Sequence, residues 1–132
     1  MNTRTTNIGI AAAALILSAC APTLSETPVT LTRTYPTSCT AALKAVQVAS
    51  ARISPDDSWL AYETVSATAD RVVLQASSRP PATRRTSSVW TCNQTINAFT
   101  ANSAVISVTT TGLNSDLAQS VHRAFFGALT GL

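Results

Sequence analysis

Three spacings of apolar residues follow one another along the chain. The first is an unbroken run of ten residues at 8–17 (IGIAAAALIL), behind a polar start whose single charge is Arg4. A helix needs about 20 apolar residues to cross a bilayer core, so this run reads as a leader and not as a span. After a stretch of small polar residues between Pro22 and Pro28, which suits a flexible tether, the period becomes two. The segment VTLTRTY puts Val29, Leu31, Arg33 and Tyr35 on one side and threonines on the other, as a strand requires. An inward Arg33 is costly to bury unpaired, which leaves this strand's place in a sheet open.

The third spacing, helical, occurs twice. In SCTAALKAVQVASARI, capped by Ser38 or Thr37 with Pro36 just before, Ala42, Val46, Ala49 and Ile53 fall on one face. The following SPDD ends it, because Pro55 cannot continue the hydrogen-bond ladder. Near the end of the chain, Asn114 or Ser115 serves as a cap and Asp116 suits the positive end of a helix. There Leu117, Val121, Phe125 and Leu129 recur four apart. This stripe predicts core packing; the alternative, an interfacial helix dipping Phe125 and Phe126 into lipid, lacks a polar face rich in Lys or Arg.

Between the helices, two hairpins are predicted. Segments 58–68 and 71–77 flank a turn at Ala69-Asp70, and 88–100 and 103–111 flank one at Ala101-Asn102. In the third of these strands Trp90, Cys92, Ile96 and Ala98 share the inward face, interrupted by Gln94. The order predicts an α+β fold: an antiparallel sheet of four strands, with 29–35 as a candidate fifth, and two helices packed on one face. It resembles the small helix-on-sheet modules of several outer-membrane lipoproteins, including accessory subunits of the barrel-assembly machinery, in architecture and without a shared motif.

The leader ends in Leu17-Ser18-Ala19-Cys20. Small residues before a cut let an extended backbone enter a signal peptidase, and an ordinary secretory signal with a chance cysteine would satisfy that much. The order, the spacing and the preceding apolar run together resemble the lipobox of bacterial lipoproteins. The resemblance covers the first twenty residues only. It implies cleavage before Cys20, a thioether-linked diacylglyceryl group on its sulfur and acylation of the new amino terminus. Two or three chains, each adding about 0.8 kcal/mol per buried methylene, give stable anchoring. Ala21, where an aspartate commonly retains such lipoproteins in the inner membrane, implies the outer membrane, facing the periplasm. The organisation expected is a leader at 1–19, a lipidated tether at 20–34 that includes the candidate edge strand, and a domain at 35–132.

With Cys20 taken by lipid, Cys39 and Cys92 remain, an even pair in an oxidising compartment, and a disulfide between them is expected. The inward strand position of Cys92 and the first-turn helix position of Cys39 are compatible with that link. A zinc site needs about four ligands, and His122 is the only other nitrogen or sulfur ligand left, so neither metal nor cofactor is expected beyond the covalent lipid. The 132 residues carry nine basic and six acidic side chains; without Arg4 the net charge falls from +3 to +2, too little to imply nucleic acid.

Chemistry is sparse. There is no metalloprotease helix motif, serine elbow or dinucleotide fingerprint, and no glycine stands between Cys20 and Thr111 to form a phosphate-binding loop. Asp56 and Asp57 read as turn formers more readily than as an acid and base pair. His122, alone on a helix, reads as a packing or surface residue. The one local charge feature is SSRPPATRRTSS, in which Arg79, Arg84 and Arg85 have no acidic neighbour. Such forks match phosphates and carboxylates.

Two functions are therefore expected, neither enzymatic: an accessory lipoprotein docking on another envelope protein, or a module binding an anionic lipid headgroup, lipopolysaccharide or glycan through the arginine loop. Replacing Cys20→Ala should abolish incorporation of labelled palmitate and release the chain from the membrane fraction. A variant still retained and cut at the same place would defeat the lipidation.

Overall fold

Period-two segments with one apolar side pair edge to edge and leave that side to be covered, and the sheet of this protein is built that way. The computed structural model describes residues 27–97 and 100–131; the leader, Cys20 and Ala98 lie outside them. Five strands, β1 (Val29–Tyr35), β2 (Glu63–Ala67), β3 (Arg71–Ser77), β4 (Arg85–Asn97) and β5 (Thr100–Thr111), alternate with two helices, α1 (Cys39–Ser50) and α2 (Ser115–Ala128), in the order β1-α1-β2-β3-β4-β5-α2. All pairings are antiparallel, with spatial order β1-β5-β4-β3-β2. The fold is α+β, and the sheet has five strands, the four expected and the candidate fifth at 29–35. β1 joins it by pairing along its length with β5, from Val29 opposite Thr110 to Tyr35 opposite Ala104.

The covered face carries Val72, Leu74 and Ala76 of β3, Trp90 and Cys92 of β4, and Ala104, Ile106 and Val108 of β5, all buried. Above them α1 contributes Ala42, Leu43, Val46 and Ala49, and α2 contributes Ala118, Val121, His122, Phe125 and Phe126. Both helices begin with a side-chain cap: Ser38 accepts from the Ala41 amide and Asn114 from the Leu117 amide. Leu117 is only partly buried, so the stripe of α2 is centred one residue further on than expected. Gly112, at φ 91°, turns the chain from β5 toward that helix, a backbone conformation few other residues adopt. Trp90, Phe125 and Phe126 form the centre, with ring centroids 5.2 and 5.3 Å apart. Each such ring buries area worth about 4–6 kcal/mol as an upper bound.

Four expectations are corrected. Residues 58–62 are not strand, because Trp59 and Tyr62 are both buried and stand at opposite parity, so no extended segment could turn both inward. The chain bends instead, with Trp59 bridged to Ser78 and the Tyr62 amide donating to the Ile53 carbonyl. The second hairpin does not turn at Ala101-Asn102; Asn97 pairs with Thr100, placing those two residues inside β5. Ile96 is 77% exposed. The β4–β5 register shifts between Thr95 and Asn97, and Gln94 already meets the start of α1, so no helix lies over the strand beyond it. α1 itself stops at Ser50, before Ile53.

Cys39 and Cys92 are joined, with Cα atoms 5.7 Å apart. The link ties the first residue of α1 to the centre of the sheet, and beside it the Gln94 side chain accepts from the Cys39 amide at 2.9 Å, satisfying one of the free donors at the helix start. Polar Gln94, out of pattern on an inward face, is thereby explained. The bond closes a separation of 53 residues, for which the chain-entropy relation gives about 4 kcal/mol. Cys39→Ala with Cys92→Ala should lower the unfolding free energy by about 2–4 kcal/mol in urea titrations; a loss well under 1 kcal/mol would show that packing alone holds α1.

Candidate functional site

The arginine segment folds back on the bend before it. Asp56 Oδ1 accepts from the Ser58 hydroxyl and amide at 2.6 and 2.7 Å, and these bonds, side chain first, hold its carboxyl below the usual 3.8. It is a turn former, as expected. Arg79 Nε donates to the Asp57 carbonyl at 2.8 Å. The Arg84 guanidinium lies 4.9 Å over the ring of Trp59 and donates to the Ser58 hydroxyl at 3.3 Å. Arg79 and Arg84 thus converge on the 57–59 corner and brace it, while Arg85 opens β4 opposite Ser77, exposed on the uncovered face. Sequence alone shows three free forks; it does not show that two of them hold the protein's own backbone and indole.

His122 is buried, and it ends a short polar chain inside the core. Its Nε2 lies 2.8 Å from Thr110 Oγ1, which lies 2.8 Å from Ser88 Oγ. Tyr62, with Ser88 and Thr86 nearby, is enclosed without a well-formed hydrogen bond of its own, and burial pushes its phenol pKa up against the pull of those two hydroxyls. The Trp59 and Trp90 indole N–H groups have no hydrogen-bond partner among the described residues. Thr110 is as buried as His122, and this hydroxyl and imidazole satisfy one another within an apolar core.

On its other side His122 borders a groove between the β1 edge and α2. The cavity measures about 320 Å³ and is lined, among the described residues, by Val29, Thr30, Leu31, Arg33, Gln119, His122 and Arg123, with no acidic side chain. Arg33 resolves the difficulty posed by its inward position: β1 is the edge strand, so the side chain leaves the sheet over the ring of Phe126, at 5.1 Å, and stays exposed. Arg123 faces it from the helix side of the same cavity, also exposed. Ninety positions separate the two arginines, and only the pairing of β1 with β5, next to α2, brings them to one groove. The visible signal was the out-of-place charge at Arg33.

Among the described residues no group of His, Cys, Asp and Glu side chains could hold a metal ion, and no helix is long and apolar enough to cross a membrane. No protein-family model matches the chain, and no curated protein matches it.

Burial lowers the His122 pKa below its ordinary 6.5. The unfolded chain then binds this proton more readily than the native one, so stability is constant well above pH 6.5 and falls as pH drops through 6.5 toward the lowered native value. The slope is at most about 1.4 kcal/mol per pH unit. Urea midpoints measured from about pH 8 to about pH 5 should show this fall in the native chain and not in His122→Gln. An equal fall in both would assign it elsewhere.

Proposed function

We propose that this chain is an exported, membrane-anchored lipoprotein of the cell envelope whose domain docks, without catalysis, on another envelope protein. The observation that carries the docking is the face of the sheet that no described element covers. Both helices lie on one side, and across the other runs a row from Ser66 through Val73, Val89 and Thr109 to Thr30, spanning all five strands. Apart from the charged positions, the neighbouring rows are Ser and Thr with Gln75, Asn93 and Val105, and the Thr30 and Thr109 hydroxyls lie 2.9 Å apart. Its charges, Glu63, Arg71 and Arg85, are the first residues of β2, β3 and β4. The row from Ser66 to Thr30 carries no charge, in keeping with the depletion of charged residues at the cores of protein interfaces, and Arg71 flanks it opposite Thr91. At one side of it Leu60 and Val65, 44% and 57% exposed, line a depression of about 120 Å³ with Gln75.

The address rests on the cysteines. A disulfide inside the core suits an oxidising compartment, and it leaves Cys20, at the end of the apolar run, as the odd thiol that lipid would take. Val29 begins the sheet nine positions after Cys20, and Ala21 supports the outer membrane, facing the periplasm. The bend-braced arginines 79 and 84 favour docking over the arginine-loop reading, since their guanidinium contacts lie within the chain.

A photo-crosslinker placed at Thr91 or Val65 in living cells should capture one envelope protein reproducibly, and the same group at Val48, exposed on the outer side of α1, should not. Thr91→Glu, which sets a carboxylate opposite Arg71, should leave stability within about 0.5 kcal/mol and abolish the capture. Equal capture from all positions, or from none, would overturn the docking face.

A further inference from the structure

We propose that the groove between β1 and α2 binds the phosphate headgroup of an anionic membrane lipid, held between Arg33 and Arg123. A cavity of about 320 Å³ lies at the lower end of the range of ligand sites, which suits one glycerophosphate group rather than a whole lipid. Two guanidinium groups supply forked donors that match phosphate oxygens. Gln119 adds a neutral amide and Val29 and Leu31 an apolar wall, against which the first methylenes of a lipid would lie. Arg33 is already restrained over Phe126 at 5.1 Å, so it loses little freedom when a ligand arrives. Among the described residues no acidic side chain lines the groove to compete for either arginine, and the one acidic residue of α2, Asp116, stands about two turns before Arg123.

The choice of a lipid as the source of the phosphate rests on the anchored reading. Val29, which lines the groove, is nine positions from Cys20, and nine residues span at most about 32 Å when fully extended. An anchor at Cys20 would therefore hold this groove, cations included, within one short tether of a headgroup layer.

The test uses the full chain purified in an uncharged detergent, so that binding is read whether or not Cys20 carries lipid. Calorimetric titration with dihexanoyl phosphatidylglycerol should show saturable binding about tenfold or more tighter than with dihexanoyl phosphatidylcholine or inorganic phosphate. Arg33→Gln with Arg123→Gln should weaken it about tenfold or more, and the Lys replacements should keep part of it. Near-UV circular dichroism from the buried tryptophans reports whether the double variant folds; if it does not, Arg123→Gln alone, on an exposed position, decides. Equal binding of both lipids would overturn recognition by charge. Equal or tighter binding of inorganic phosphate would overturn the lipid, and unchanged binding in the glutamine variants would overturn the groove. Absence of palmitate on Cys20 with headgroup binding intact would defeat the anchor and leave the groove standing.

Discussion

Phe125 and Phe126, adjacent in α2, both reach Trp90 at the centre of the sheet, and this contact sets where the helix lies. Phe126 then extends the packing to the edge strand, stacking on Tyr35 with centroids 6.0 Å apart and carrying Arg33 on its ring. Phe125 extends it the other way, to the edge of Tyr62 in the bend before β2. The two rings thus connect both flanks of the sheet. Burial of this cluster outweighs the cost of two indole N–H groups and a phenol left without hydrogen bonds, each about 1–3 kcal/mol.

The disulfide constrains the other helix. α1 links β1 at one edge of the sheet to β2 at the opposite edge, a connection that must cross the whole covered face. Apart from Leu43 its buried face is made of smaller residues, among them Ala42, Val46 and Ala49, which allow close approach and supply less buried area than the aromatic rings of α2. Cys39–Cys92 and the Gln94 bond to the Cys39 amide anchor its first turn over β4. The strong packing thus sits under α2 and the covalent link under α1, a division that suits a domain of limited core.

Arginine has two distinct uses in this protein. Arg79 and Arg84 turn inward on the 57–59 corner, where one meets a backbone carbonyl and the other an indole face. Arg33 and Arg123 face a cavity without an acidic wall. The difference does not lie in local sequence, since the loop triplet is the denser cluster; it lies in what the fold sets opposite each fork. Arg79 and Arg84 each donate an N–H to another group of the chain, whereas the ring contact of Arg33 leaves its N–H edges to the groove.

Periodicity and caps are local properties, and they made most of the fold legible: the period-two runs of β3 and β4, the helical stripes, Ser38 and Asn114 as caps, and an inward Cys92 that a first-turn Cys39 could reach. The apolar run and the four residues ending at Cys20 are likewise local patterns, so the leader and anchor we propose rest on sequence and on no tertiary contact. Tertiary structure decided what depends on residues far apart. Membership of β1 in the sheet required β5 as a partner, which makes an inward arginine tolerable at an edge where its end escapes the core. Trp59 and Tyr62 broke the strand pattern because two buried rings at opposite parity outweigh regular pairing over five residues. The groove exists only because β1 and α2, from opposite ends of the domain, lie side by side; periodicity along a chain shows which face of an element is buried, and never which distant element will stand beside it.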